Sequence, residues 1–198
     1  MLLATDDLKR ILECLLFAAD SPLSLDRLSV LVERPKVELK PVMQELVDDF
    51  ERAGHGFQLA EIAGGFQFRT RQAYAAWVRK LSKDRPFRFS QPALETLSMV
   101  AYRQPVTRSE VEYLRGVDSG GVMKTLLEKG LIRILGKKDV PGRPLMYGTS
   151  RKFLEFFGLR DLNDLPTLKE FSSLDPAIDL EEWQGATPLS SSDAADLS

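Results

Sequence analysis

Few residues in this 198-residue chain have the types and spacing that chemistry needs. Cys14 is the only cysteine, which excludes an intramolecular disulfide and a zinc or iron–sulfur site built on cysteines. Between Leu12 and Leu15 in an amphipathic stretch, it reads as a small buried hydrophobe rather than an activated thiol. His55, the only histidine, lies between Gly54 and Gly56 and reads as a solvent-facing turn residue; one histidine does not make a His-rich metal site. Gly116 and Gly121 have the separation of the two glycines in a phosphate loop. Val122 stands where the lysine belongs, no hydroxyl follows it, and the segment follows a helix instead of a strand, so a helix–helix turn is expected. The carboxylates are scattered over predicted helix surfaces, with no pair placed across a cleft. No catalytic residue, no metal site and no cofactor are predicted.

Charge is what remains, and its distribution matters more than its sum. The formal net charge is −2, yet residues 1–61 carry 7 Lys+Arg against 12 Asp+Glu, residues 62–169 carry 20 against 10, and residues 170–198 carry none against 7. A composition of 43% hydrophobic and 28% charged residues fits an ordinary globular protein. The N-terminus has no cationic region ahead of an apolar one, and no apolar run approaches the roughly 18 residues a spanning helix needs. A cytoplasmic protein is expected.

The elements that must position these charges follow from periodicity. Thr5 with Asp6 and Asp7 starts a helix whose Leu8, Ile11, Leu12, Leu15 and Leu16 form one buried stripe, ended by Ser21 and Pro22. Ser24 caps a short helix with Leu25, Leu28 and Leu31, and a third helix over 37–52 turns Val42, Leu46, Val47 and Phe50 inward, with Pro41 tolerable only near its first turn. Period-two alternation over 57–62 and 66–70, around Ala63, Gly64 and Gly65, predicts a β-hairpin. An extra helix over 73–81 follows. The order of signals then recurs: Ser90 caps a helix ended by Gln104 and Pro105, Thr107 and Glu110 form a capping box, a third helix closes at Gly130, and strands over 131–135 and 145–147 flank a polar loop. Pro22 and Pro105, Ser24 and Thr107, and Leu28 and Val111 pair at one offset of 83 residues. Thr149 or Ser150 caps a last helix over 151–157 that Gly158 closes, and the acidic stretch from about residue 170 reads as a disordered tail. Ile178, Leu180 and Trp183 in it are either a short docking motif or part of a solubilising extension. The fold expected is mainly α with small β-hairpin wings (α+β): two tandem winged-helix domains, 1–82 and 90–168, joined by a basic linker over 83–89 and followed by the tail over 169–198.

Winged helices commonly place their third helix in the DNA major groove, where phosphates favour Arg and Lys and disfavour carboxylates. Residues 36–52 hold three cations against five carboxylates, and residues 118–129 hold two against two. Neither is a reading head. The remaining basic surface, the linker and the second wing with Arg133, Lys137, Lys138 and Arg143, suits non-specific phosphate contact, an acidic protein partner or plain solvation.

Several long blocks then resemble the bacterial segregation and condensation protein B family: 94–110 (LETLSMVAYRQPVTRSE), 115–118 (RGVD), 138–144 (KDVPGRP) with 147–149 (YGT), and 153–159 (FLEFFGL) ahead of 162–166 (LNDLP). Residues 11–19 (ILECLLFAA) and 62–70 (IAGGFQFRT) extend it through the first unit. Lys137 stands where the family usually has Arg, His55 where Arg is common and Phe66 where Tyr is common. The resemblance implies a non-enzymatic homodimer, paired mainly through its N-terminal domains, that binds the kleisin subunit ScpA (segregation and condensation protein A) and through it the SMC ATPase. It implies a role in chromosome condensation and partition on the nucleoid, with the kleisin contact mainly on the C-terminal domain. The partner surface expected is Tyr102, Arg103, Gln104 and Pro105, Arg115, and the basic wing with Lys137, Lys138 and Arg143. Tyr102 and Pro105 also suit capping and packing, and Arg115 and Arg143 also suit tying the second domain's turns to its wing. The alternative function is a winged-helix DNA-binding transcription regulator.

Overall fold

The computed structural model describes residues 5–81 and 89–167. The basic linker, apart from Phe89, and the acidic tail with Ile178, Leu180 and Trp183 lie outside the described residues. The first helix, α1 (Thr5–Ala18), buries Leu8, Leu12 and Leu16, one residue per turn of a continuous stripe. Cys14 is exposed, against the expectation that it is buried. At 100° per residue it lies opposite Leu12 and Leu16, and its apolar sequence neighbours do not share its face. Helix α2 (Leu25–Val32) starts where Ser24 Oγ accepts from the Arg27 amide at 3.2 Å, and it buries Leu28. Leu31 is 42% exposed because Val32 and Leu25 take the core-facing edge beside Leu28. Helix α3 (Lys36–Arg52) buries Leu39, Val42, Met43 and Leu46. Pro41 sits one turn deeper than expected, on the exposed face, where the carbonyl it leaves without a donor is open to hydration.

Strands β1 (Phe57–Ile62) and β2 (Gly65–Thr70) pair from Phe57 with Thr70 to Ile62 with Gly65, leaving Ala63 and Gly64 as a two-residue turn. Both have positive φ, 51° and 68°, the twist that suits a hairpin. Gly65 is glycine for a steric reason: a Cβ there would lie 2.8 Å from the Leu23 carbonyl carbon. That approach lets Leu23 and Phe66 exchange backbone hydrogen bonds of 3.0 and 2.9 Å. The expected single helix over 73–81 is a 3-10 turn, Gln72–Tyr74, followed by α4 (Ala75–Leu81).

The second unit repeats the plan. Helix α5 (Gln91–Arg103) is capped by Ser90, and Thr107 and Glu110 form the capping box of α6 (Arg108–Arg115). Helix α7 (Gly120–Glu128) leads to β4 (Ile132–Lys137) and β5 (Leu145–Thr149). The two-residue β3 (Val106–Thr107), which periodicity did not signal, pairs with β5, so the sheet order is β3-β5-β4. Ser150, rather than Thr149, caps α8 (Arg151–Phe157). The 83-residue offset therefore extends to Val106, which pairs with Tyr147 of the second wing as Leu23 pairs with Phe66 of the first.

Each unit has its own core. One gathers Leu8, Leu12, Leu16, Leu28, Met43 and Leu46; the other gathers Leu97, Val100, Val111, Leu126, Ile132 and Phe153. Both fall in one compact unit ending at Leu165. The architecture is that of two tandem winged helices, mainly α with small antiparallel wings.

Candidate partner-binding groove

Where α5 ends, Gln104 turns inward. Its Oε1 accepts from the Thr149 amide at 2.8 Å, and its Nε2 donates to the Ala101 carbonyl at 3.1 Å and to Thr149 Oγ1 at 3.0 Å. A Cβ on Gly148 would lie 2.6 Å from Gln104 Oε1, so the glycine makes room for this bridge. The Gln104–Pro105 peptide is cis. Pro105 and Val106 then face an open groove of about 530 Å³, with Arg103 at one edge and Ser109, Glu110, Tyr113 and Leu114 from α6 along the other.

The groove is apolar with charge at its rim. Tyr113 is 88% exposed and Leu114 is 38% exposed. No carboxylate among the described residues pairs with Arg103. Glu110 is the opposite case: its carboxylate accepts from Lys138 Nζ at 2.5 Å, from the Thr107 amide at 2.7 Å and from Thr107 Oγ1 at 2.9 Å. The Lys138 ammonium, followed by these donors from Thr107, pulls its pKa from the usual 4.5 to about 2. Lys138 thereby ties the wing loop to the groove rim, while its amide bonds the Pro144 carbonyl across the loop. Gly142 and Arg143, with φ of 83° and 41°, form the bend that presents Arg143 to solvent. No carboxylate among the described residues pairs with Lys137 or Arg143. Ile134, Leu135 and Val140 are exposed beside them on the wing.

The expected partner residues are thus only partly brought together. Arg103 and Pro105 line the groove, Lys138 braces it, and Lys137 and Arg143 stand on the adjoining wing. Tyr102 is partly exposed and does not line the groove. Gln104 is an internal bridge. The Arg115 side chain is 8% exposed, bonded to Glu95 at 3.1 Å and Ser119 at 3.0 Å, and holds the far end of α6 to α5. Ser109 and Tyr113, which sequence reasoning missed, share the α6 face at i and i+4; the signal was a tyrosine on a helix whose opposite face carries buried Val111.

The other candidates for chemistry resolve into structure. In the Gly116–Gly121 segment, the Ser119 amide donates to Glu112 and the Gly120 amide to Asp118, so these donors serve a helix–helix turn. Arg108 bonds both Glu112 and Asp118 across it. His55 is exposed and stacks on Phe57 at 5.3 Å. No cluster of three or more His, Cys, Asp or Glu able to hold a metal ion occurs among the described residues. No helix among them is long and apolar enough to cross a membrane. On α3, Lys36 pairs with Asp26, Arg52 pairs with Asp49, and Glu45 and Asp49 hold Lys9.

A family model described as segregation and condensation complex subunit ScpB matches residues 10–168. The chain belongs to this family. Segregation and condensation protein B of Syntrophotalea carbinolica is 58% identical over 86% of each chain. A crystal structure of ScpB from Mycobacterium tuberculosis is 38% identical, covers 80% of this chain and 99% of its own, and has a TM-score of 0.40. A further crystal structure, of a dimer of ScpB N-terminal domain complexed with ScpA peptide, is 37% identical and covers 40% of this chain and 100% of its own, with a TM-score of 0.38. ScpB is an accessory subunit of a segregation and condensation complex, and its family is not a known enzyme family.

Proposed function

We propose that the chain is a non-enzymatic subunit of the bacterial SMC–kleisin complex, acting in the cytoplasm on the nucleoid as a homodimer that binds the kleisin ScpA and supports chromosome condensation and segregation. The observation that carries this reading is membership of the ScpB family, with a relative 58% identical along the shared length. The groove supports it from the chemistry side: an open apolar trough, edged by an Arg103 that pairs with no carboxylate among the described residues, suits a protein segment carrying apolar anchors and a carboxylate. We assign the dimer contact to residues 1–82, where Phe17, Val30, Val37, Trp77 and Leu81 are exposed, and the main kleisin contact to residues 90–168. In this assignment Arg103, Pro105, Tyr113 and Leu114 touch the kleisin, and Lys137, Lys138 and Arg143 border it.

Mixing the intact chain with ScpA of the same organism, followed by light scattering, tests the reading. A complex containing two copies of this chain supports it; a monomer that leaves ScpA unbound at micromolar concentration overturns it. The site assignment has its own test, Arg103→Glu with Tyr113→Ala, which should weaken ScpA binding at least about tenfold, roughly 1.4 kcal/mol. Unchanged affinity would move the contact to the N-terminal unit, the part of the relative crystallised with an ScpA peptide. The DNA-regulator reading draws on Lys137 and Arg143 at a wing, which pair with no carboxylate among the described residues. It requires sequence-specific binding at physiological salt, whereas weak, salt-sensitive binding at most is expected.

A further inference from the structure

The tip of the first wing is held from outside its own unit. In a two-residue hairpin turn the tip amides have no acceptor within the ladder and normally face water. Here the Ala63 amide donates to the Leu159 carbonyl at 2.8 Å, and the Gly64 amide to the Arg160 carbonyl at 3.0 Å. Ile62 and Ala63 are buried, 3% and 9% exposed, although neither belongs to the first unit's core. Ala63 also holds φ at 51°, a conformation an alanine keeps when its surroundings impose it.

The segment that covers the tip is shaped in advance. The Arg160 guanidinium forks onto Asp164, Nη2 at 2.6 Å and Nε at 3.1 Å, while the Arg160 amide bonds the same carboxylate at 2.8 Å. Leu159 and Leu165 pack on the second core, so the segment places its side chains in one unit and its carbonyls on the other. Two arginines reinforce the join in opposite directions. Arg69 of β2 donates to the Glu155 carbonyl near the C-terminus of α8 at 3.0 Å, a place where a cation also meets the helix dipole. Arg151 of α8 donates to the Pro22 carbonyl at 2.9 Å while pairing with Glu155 on its own helix.

We infer that residues 158–165 form a strap that fastens the second winged helix to the wing tip of the first within one chain, so that the two units act as a single arm rather than as domains free on a linker. The occupant of the wing tip is the chain's own Leu159–Arg160 carbonyl pair, and the inference does not rest on kleisin binding.

Hydrogen exchange on the intact chain, without ScpA, tests it. The Ala63 and Gly64 amides should exchange on the order of 100-fold more slowly than free turn amides. That protection should persist on dilution below the concentration at which dimers dissociate. Arg69→Ala combined with Arg151→Ala should remove most of it while the ladder amides of β1 and β2 keep theirs. Tip amides that exchange freely in the unmodified chain overturn the strap, a result that needs no variant to fold. Protection that vanishes on dilution also overturns it, because the carbonyls would then come from a second copy.

Discussion

Replacing Gln104 separates an internal bridge from a partner contact. The sequence placed it in the expected partner surface, whereas the structure gives it three partners, the Ala101 carbonyl and the amide and hydroxyl of Thr149, the last residue only 7% exposed. Gln104→Ala leaves the Thr149 amide buried without an acceptor, which costs about 1–3 kcal/mol, and opens space beside Gly148. A total of about 2–3 kcal/mol at 2–4 °C per kcal/mol, the scale for 150–250 residues, lowers Tm by about 4–12 °C. Gln104→Met keeps most of the volume and loses the hydrogen bonds, so it should lose about 2 kcal/mol. Circular dichroism melts give the stability, and calorimetric titration with ScpA at 20 °C, where the variants remain folded, gives the affinity. The expected result is a lowered Tm with ScpA affinity within about twofold of the parent. A Tm within 2 °C of the parent together with a tenfold loss of affinity would refute the internal role.

Three other substitutions test separate features. Gly65→Ala puts a methyl 2.8 Å from the Leu23 backbone, which cannot retreat as a flexible side chain would; the Leu23–Phe66 bridge should break, with a loss of about 2–4 kcal/mol in denaturant unfolding. Arg115→Met should destabilise by about 1–2 kcal/mol through the loss of its bonds to Glu95 and Ser119, with no salt-dependent change in ScpA binding. Glu110 has a folded pKa of about 2, below its ordinary 4.5, so its contribution is full above about pH 4.5 and fades as pH falls toward 2. Since Glu110 and Lys138 are each more than 40% exposed, solvent screening limits their pairing to about 0.5 kcal/mol. Lys138→Met should be less stable than the parent by that amount at pH 7, and thermal melts should converge with the parent's near pH 2.

The parts of the fold legible in sequence are those fixed by local chemistry. Ser24, Ser90 and the Thr107–Glu110 box announce helix starts through side chains that reach amides within three residues, and the alternation around Ala63 and Gly64 announces the first hairpin. The two-residue β3 is too short for periodicity and exists because β5 offers it an edge. Cys14 reads as buried from its apolar neighbours in sequence, while its angle around α1 turns it outward. The candidate site was legible as a region and not as residues. Gln104 and Arg115 look like surface groups until the fold brings Thr149 and Glu95 to them across 45 and 20 residues. Tyr113, on α6, gains meaning only when Arg103 and Pro105 close the other side of the trough. The expectation that positive charge avoids both third helices rests on composition, and the structure adds that α3 spends much of its charge on intramolecular pairs.

We propose that this chain works by holding a kleisin. Isothermal titration of the intact chain with full-length ScpA from the same organism, at physiological salt, tests it most directly. Saturable binding at micromolar affinity or tighter, with a stoichiometry of two chains to one or more ScpA, is the predicted result. The absence of binding heat and of any mass shift at those concentrations, alongside sequence-specific DNA binding at the same salt, would contradict it.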